Sequence, residues 1–195
     1  ACPGGWTEAD MRVPAGTTAI GSGAFLGNRA LVSVSLPGSV AVIGESAFSL
    51  CASLESVTAA AGLRVIEQNA FQSCRALRAV SLPETLESIG DSAFGWCGAL
   101  ESIDLPEGLS AIGAQAFMLC GALASVKLPI TLSSIGDGAF GMCLALGSLT
   151  LPEGLSSIGA QAFAGCPALT LIVCHGSPAE QYARENGIPF VCDGR

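Results

Sequence analysis

Cysteine offers the most chemistry in this chain, which contains nine cysteines but only one histidine. Thiols can form disulfides, bind metal ions or act as nucleophiles. Six of them recur every 23 residues, at Cys51, Cys74, Cys97, Cys120, Cys143 and Cys166. Stacked equivalent residues hold their Cα–Cβ bonds parallel, so their Cβ atoms stay about 5 Å apart, whereas a disulfide needs roughly 3.8 Å. The spacing therefore predicts a column of buried, reduced thiols that pack as small apolar side chains.

The other three cysteines, Cys2, Cys174 and Cys192, lie near the chain ends. Cys174 ends the last repeat strand and Cys192 ends a final strand, so we predict a disulfide between them that closes the C-terminal end. Cys2 would then be left over, either as a free thiol or as an attachment point. Zinc at Cys174, His175 and Cys192 is disfavoured, because neighbouring residues of a strand point to opposite faces.

No pattern in the sequence indicates catalysis. His175 is the only histidine, and nothing resembles a nucleophile elbow or a glycine-rich phosphate loop. Glu84, Glu107 and Glu153 share one turn position, where calcium could bind, but Ile130 interrupts this column. A solvated edge that keeps the chain soluble is the favoured interpretation. The sequence predicts no enzyme, no catalytic residue, no metal site and no cofactor.

The elements that position these residues follow from a repeat of 23 residues. Three apolar columns define it: Phe25, Phe48, Phe71, Phe94, Phe117, Phe140 and Phe163; Ile20, Ile43, Ile66, Ile89, Ile112, Ile135 and Ile158; and Leu31, Leu54, Leu77, Leu100, Leu123, Leu146 and Leu169. A fixed period of this length is typical of a solenoid, in which each unit buries its apolar face against its neighbours. Seven copies are enough for a stable stack.

A single copy predicts the elements of one coil. Ile103 and Leu105 alternate with polar residues, which favours a strand with one buried face. Pro106 cannot donate a hydrogen bond to a neighbouring strand, so it ends this strand. Residues 115–120 suit a short helical turn. The predicted fold is an α/β solenoid, a right-handed coil of seven repeats with one short parallel strand each and short helical turns on the opposite side.

The repeat breaks down at both ends, where caps are expected to cover the apolar stack. We predict an N-terminal cap over residues 1–12, a solenoid over residues 13–174 and a C-terminal cap over residues 175–195, all within one domain. In the C-terminal cap, Ser177 would begin a helix in a capping box with Glu180, and Asn186 and Gly187 would end it. A strand would follow. At the N-terminus, Trp6 would form the lid.

Composition excludes several classes of function. The chain is 50 % hydrophobic and 12 % charged, with a net charge of −8. No apolar run approaches the ~18 residues needed for a membrane-spanning helix. An acidic surface also argues against nucleic acid as a partner, because nucleic-acid binding relies on clustered Lys and Arg.

Two surfaces remain as candidates for contact with a partner. The strand face has two outward columns: Ser33, Ser56, Ala79, Ser102, Ser125, Ser148 and Leu171; and Ser35, Thr58, Ser81, Asp104, Lys127, Thr150 and Val173. Possible contacts are Ser102, Asp104, Ser125, Lys127, Ser148 and Thr150. These side chains are small and almost uncharged, and the columns lack the Trp, Tyr and Arg anchors of tight interfaces. An inert, solvated sheet face is therefore the favoured interpretation.

The second candidate surface lies two residues after each column Phe. This outer column consists of Gly27, Leu50, Ser73, Trp96, Leu119, Met142 and Gly165. Its large residues and their neighbours form what we call the apolar stripe: Leu50, Trp96, Met118, Leu119, Met142 and Leu144. The stripe either folds down as an outer layer of the core or stays exposed as a surface for a protein partner or for self-association.

The repeated pattern L..I.LP..L..IG..AF..C..L resembles the BspA-like (Treponema-type) leucine-rich repeats, over residues Val13 to Cys174. It differs from the commoner leucine-rich pattern, which places Asn or Cys soon after the strand. The resemblance implies a non-catalytic interaction module of a secreted or cell-surface bacterial protein, adhering to host, neighbouring-cell or extracellular-matrix proteins. The alternative is a structural spacer or stalk within a longer surface protein.

Overall fold

Short strands in successive coils build a parallel β-solenoid in the computed structural model, which describes residues 9–193. The longer strands are β1 (Asp10–Arg12), β3 (Ser33–Leu36), β5 (Ser56–Ala59), β7 (Ala79–Ser81), β9 (Ser102–Asp104), β11 (Ser125–Lys127), β13 (Ser148–Thr150), β15 (Thr170–Cys174) and β16 (Phe190–Asp193). Each paired strand runs parallel to its neighbour, and from β1 to β7 equivalent residues of successive coils are partners. Ile103 and Leu105 are buried as predicted. The predicted solenoid is confirmed.

Each repeat also contributes a second strand, which the sequence analysis did not predict. These two-residue strands are β2 (Ala19–Ile20), β4 (Val42–Ile43), β6 (Val65–Ile66), β8 (Ser88–Ile89), β10 (Ala111–Ile112), β12 (Ser134–Ile135) and β14 (Ser157–Ile158). They form one seven-stranded parallel sheet in chain order. Their Ile side chains point into the core, where Ile112 is 2 % exposed. A two-residue strand shows too little alternation to be recognised from its sequence.

After each two-residue strand, the chain forms a pair of tight turns instead of the predicted helical turn. In one coil, the N–H groups of Met118 and Cys120 donate to the carbonyls of Gln115 and Phe117 in the same coil. The N–H of Phe117 instead donates to Ala139 in the next coil. Because alternate N–H groups bond across coils, the backbone cannot wind into a helix with i→i−4 bonds.

The phenylalanine column forms a continuous stack through the core. Its seven rings lie with centroids 5.1–5.5 Å apart and planes within 9° of parallel. The side chains of Phe48 to Phe140 in this column are fully buried. The first ring, Phe25, is 8 % exposed. The stack confirms that equivalent side chains superpose from coil to coil.

The helix α1 (Pro178–Glu185) covers the last coil, and β16 follows it. Ser177 caps α1 by accepting a hydrogen bond from the N–H of Glu180 at 3.2 Å. The Glu180 carboxylate does not complete the predicted capping box, because it accepts from Gly176 instead. Tyr182 meets the last ring of the column, Phe163, edge-on at 6.1 Å. This contact ends the aromatic stack within the protein.

The last repeat strand is shifted by one residue relative to the predicted columns. Ser148 pairs with Thr170, and Thr150 pairs with Ile172. Leu171 and Val173, predicted to face outward, are therefore buried, at 0 % and 1 % exposure. The last coil is one residue shorter before its strand, and a shift of one residue moves every side chain to the other face.

At the other end of the solenoid, Met11 of β1 is buried against the first coil. The predicted lid, Trp6, lies outside the described residues, as do Cys2 and the rest of residues 1–8. No helix within residues 9–193 has the length and apolar character that a membrane span requires.

Candidate functional site

The six periodic cysteines are free thiols that bond from coil to coil. Each Sγ lies 3.0–3.2 Å from the carbonyl oxygen of the column Phe in the preceding coil, to which the thiol donates. Burial raises the pKa of Cys51 to about 11 and that of Cys120 to about 12. A protonated thiol in an apolar setting is a poor nucleophile and a poor metal ligand. Five of the six thiols are therefore part of the core, as predicted, and Cys166 of the last coil is half-buried.

We expect the buried thiols of the native protein to resist alkylation. During timed labelling with iodoacetamide at pH 8, Cys51, Cys74, Cys97, Cys120 and Cys143 should react at least about 100-fold more slowly than in denaturant, because little thiolate is present and access is blocked. Cys192, which is exposed, should react quickly and serves as the internal control. Peptide mass spectrometry measures each site. Equal labelling of column cysteines and Cys192 would contradict this placement.

Glutamates of the turn column accept hydrogen bonds from backbone N–H groups of the next coil. The carboxylate of Glu84 accepts a hydrogen bond from the N–H of Glu107 at 3.2 Å, and that of Glu107 accepts from the N–H of Ile130 at 2.9 Å. The side chains thus satisfy N–H groups at an exposed edge of the solenoid. This arrangement favours the structural interpretation over a calcium site.

The predicted disulfide between Cys174 and Cys192 is absent from the structure, in which both are free thiols. The pairing of β15 with β16 sets Cys192 opposite Val173, while Cys174 is opposite Asp193. Because successive residues of a strand point to opposite faces, Cys174 and Cys192 point to opposite sides of this sheet. The sequence analysis placed both cysteines at strand ends but could not determine this register.

The strand face is exposed where contacts were predicted. Ser102, Asp104, Ser125, Lys127, Ser148 and Thr150 all face solvent. Asp104 and Lys127 are direct cross-strand partners in β9 and β11. Beside them, a shallow groove of about 500 Å³ includes Ser81 and Glu107 in its lining. The groove is polar and contains no aromatic side chain, so it offers a partner few strong contacts.

The outer column adopts a left-handed backbone conformation in every coil. Its φ values lie between 60° and 73° from Gly27 to Gly165. Glycine adopts this region freely, but for other residues it costs roughly 1–2 kcal/mol. Leu50, Trp96, Leu119 and Met142 nevertheless occupy it. The sequence analysis identified these residues by their size but could not reveal this strain.

A second left-handed column in the same turns provides an internal comparison. It lies two residues before each column Phe, with φ values of 53–62°. Its members are Gly23, Ser46, Asn69, Ser92, Gln115, Gly138 and Gln161. These residues are glycines or polar residues, whereas four of the seven outer-column residues are large and apolar. The same backbone conformation therefore does not by itself account for the large apolar residues of the outer column.

The apolar stripe is only partly covered by the protein. Leu50 and Leu144 are 53 % exposed, Met142 is 42 % exposed and Trp96 is 36 % exposed, whereas Met118 and Leu119 are half-buried. At its C-terminal end the stripe enters a groove of about 570 Å³ between the last coil and the cap. Met142, Leu144, Pro167, Tyr182, Ile188 and Pro189 are among the residues that line this groove. Met142 and Leu144 thus belong both to the stripe and to the lining of the groove.

Comparison with known proteins agrees with this architecture. The model of the BspA type leucine rich repeat region matches residues 9–120 and 87–180, with six copies. The chain belongs to the BspA-type leucine-rich repeat family. No match was found among curated proteins.

Three bacterial leucine-rich proteins of known structure are similar to this chain. A leucine rich repeat protein of T. pallidum is 34 % identical, with a TM-score of 0.82, and the match covers 95 % of this chain and 86 % of that one. A leucine rich cell surface protein of Faecalibacterium prausnitzii is 29 % identical, with a TM-score of 0.79, and the match covers 85 % of this chain and 48 % of that one.

A leucine-rich repeat protein of Bacteroides ovatus is 26 % identical, with a TM-score of 0.66, and the match covers 94 % of this chain and 51 % of that one. The matched region is thus about half the length of the Faecalibacterium and Bacteroides chains. The BspA-type fold of the present chain therefore also occurs as one portion of longer proteins.

Proposed function

We propose that this chain is a non-catalytic protein-interaction module of a secreted or cell-surface bacterial protein. Its partner would be a protein of the host surface, of a neighbouring cell or of the extracellular matrix, bound through the apolar stripe. The F. prausnitzii relative is a cell surface protein, which supports the location. The matched family is a repeat scaffold, which supports presentation of a surface rather than catalysis.

The observation that carries the proposal is the strained backbone under the stripe. Four large side chains occupy left-handed positions, and each costs folding free energy that a glycine would not. Part of that cost is offset by contacts between coils, since Met142 Sδ occupies the space that a Cβ on Gly165 would fill. The exposed parts of Leu50, Trp96 and Met142 contribute no packing free energy in the isolated chain. Because the repeat imposes this conformation in every coil, the indicator of function is the presence of large, partly exposed apolar residues at positions that favour glycine.

The spacing of the stripe also suits a protein partner. Equivalent side chains of neighbouring coils are separated by about 4.8 Å, the distance between parallel strands. Trp96, Leu119 and Met142 are consecutive in this series, so a partner meets three large apolar groups in a row. Trp is among the residues most often responsible for binding energy at interfaces. The adjoining groove would receive an apolar side chain of the partner.

The alternative function is a spacer or stalk without its own ligand. The strand face favours it, because the exposed residues Ser102, Ser125 and Ser148 offer small hydroxyl groups and no anchor. A portion of a longer surface protein could act in this way simply by holding other domains at a fixed distance. The binding experiment below distinguishes the two functions.

Substituting glycine in the outer column should weaken binding strongly without unfolding the protein. We expect the double variant Trp96→Gly with Met142→Gly to lose at least about 30-fold in affinity, the effect of removing a hot spot worth 2 kcal/mol. The left-handed φ values of 61° and 60° suit glycine, so relief of strain compensates part of the lost packing. The measurement is surface plasmon resonance against a panel of extracellular-matrix and co-resident cell-surface proteins.

The matched control alters the other surface. Ser125→Arg with Ser148→Arg places two large charges on the strand face while leaving the stripe unchanged, and it should keep the affinity of the native chain. Loss of binding in this control alone would show that the partner binds the strand face and not the apolar stripe. Failure of the native chain to bind any panel member would favour the spacer.

A further inference from the structure

The C-terminal cap brings together three side chains that can bind a metal ion. Nitrogen of His175, a carboxylate oxygen of Glu180 and Sγ of Cys192 all lie within 4.8 Å of one another. His175 precedes α1, Glu180 lies in its first turn and Cys192 belongs to β16. Of the residues the structure describes, these are the three that form such a group. From this arrangement we infer that the cap binds a zinc ion through His175, Glu180 and Cys192.

The ligand types select zinc over the hard cations. Thiolate and imidazole groups suit Zn²⁺, whereas Ca²⁺ and Mg²⁺ take oxygen ligands. Three protein ligands leave one tetrahedral position for water, as in open zinc sites. Cys174, His175 and Cys192 were disfavoured as a zinc site because neighbouring residues of a strand point to opposite faces. In the structure, the third candidate ligand is Glu180 of α1 and not Cys174.

The distance between the nitrogen and oxygen ligands fits tetrahedral coordination. With metal–ligand bonds of about 2.1 Å, the nitrogen and oxygen ligands of a tetrahedral zinc lie about 3.4 Å apart. His175 Nδ1 lies 3.3 Å from Glu180 Oε2. Cys192 is exposed, so rotation of its side chain can bring the sulfur into bonding range. Little rearrangement of the other two ligands is required.

Glu180 is held in position by groups that do not occupy the site. Its Oε1 accepts hydrogen bonds from Arg184 Nε at 3.1 Å and Nη2 at 2.6 Å, and the Arg184 guanidinium lies over the ring of Phe190 at 4.9 Å. Its Oε2 accepts from the N–H of Gly176 at 2.6 Å. Only 7 % of the Glu180 side chain is exposed. Metal-binding carboxylates are commonly oriented by such outer hydrogen bonds.

A bound ion would link the loop before α1, the helix itself and the final strand, and so hold the elements of the cap together. The same Cys192 cannot both bind zinc and form a disulfide.

Titration of the reduced chain of residues 1–195 with Zn²⁺ tests the inference, in a background of Cys2→Ser and Cys174→Ser that keeps Cys192 as the exposed thiol of the described residues. Isothermal titration calorimetry should show one Zn²⁺ per chain. Cys192→Ser and His175→Ala should each weaken binding at least about 100-fold, more than the loss of an outer-sphere group. Zinc should also raise the Tm of the background protein by several degrees and leave that of Cys192→Ser unchanged.

Co²⁺ provides a second readout, because a thiolate–cobalt charge-transfer band reports the sulfur ligand directly. This band should be present in the background protein and absent from Cys192→Ser. Glu180→Gln is a less decisive variant, since it also removes the ion pair with Arg184. The inference is overturned by the absence of stoichiometric uptake. It is also overturned if either Cys192→Ser or His175→Ala binds zinc as tightly as the background protein.

Discussion

Phe94→Ala is expected to lower the free energy of unfolding by about 3–5 kcal/mol. Phe94 is fully buried, and its ring lies 5.2 Å from that of Phe71 and 5.4 Å from that of Phe117. Removing it leaves a cavity bounded by two aromatic rings. The coils cannot move together to fill this cavity, because hydrogen bonds such as Phe94 N–H to the Ala116 carbonyl already fix their spacing. Urea unfolding monitored by circular dichroism measures the change.

Phe25→Ala is the matched control for this variant. Phe25 belongs to the same column but, among residues 9–193, it stacks on one ring, that of Phe48, and it is 8 % exposed. Its loss should cost distinctly less than the loss of Phe94. In a repeat protein the stability is close to a sum over coils and their interfaces, so a central defect weakens two interfaces and a terminal one weakens one. Equal losses at the two positions would contradict a continuous stack.

The sequence was sufficient to predict the core of this solenoid. The same residue recurs at equivalent positions of successive repeats, as at Phe48, Phe71 and Phe94. Burial in the core is the physical reason for an apolar residue at each of these positions. The same reasoning placed the six cysteines inside as thiols. It also identified α1 from Ser177 at its start and Gly187 after its end, because caps depend on local hydrogen bonds.

Features that depend on contacts between coils could not be predicted in the same way. The two-residue strands, such as Ala111–Ile112, exist only through their neighbours. The shift that buries Leu171 results from one missing residue before the last repeat strand. Assigning positions in steps of 23 residues does not detect this deletion. The grouping of His175, Glu180 and Cys192 depends on the orientation of α1 relative to β16, which no sequence spacing specifies.

The unusual character of the left-handed columns is recognised only when the sequence and the structure are considered together. The sequence identified Trp96 and Met142 as unusual by size, and the structure shows that they occupy a backbone conformation that favours glycine. In the parallel column, Gln115 and Asn69 occupy the same conformation with polar side chains. Since the fold accepts glycine at Gly27 and Gly165 of the outer column, large apolar residues there are not required for folding.

Gly62→Ala is expected to destabilise the solenoid by about 2–4 kcal/mol. Gly62 has a φ of 147°, and a Cβ added there would overlap the carbonyl oxygen of Gly38 and lie 2.8 Å from its carbonyl carbon. Both neighbouring atoms belong to backbone, so no side-chain rotation can relieve the contact. The two coils must move apart or the φ angle must change, and either movement disturbs the hydrogen bond from Gly62 N–H to Thr85.

Gly147→Ala provides the comparison for this prediction. No atom lies within 4 Å of a Cβ built at Gly147, and its φ is outside the left-handed range. Thermal unfolding of the two variants should show a loss for Gly62→Ala and a change within about 0.5 kcal/mol for Gly147→Ala. If the two variants unfold alike, the backbones of the second and third repeats do not approach as closely as the structure indicates. The stacking of coils through hydrogen-bonded main chain would then be looser at that point than at the phenylalanine column.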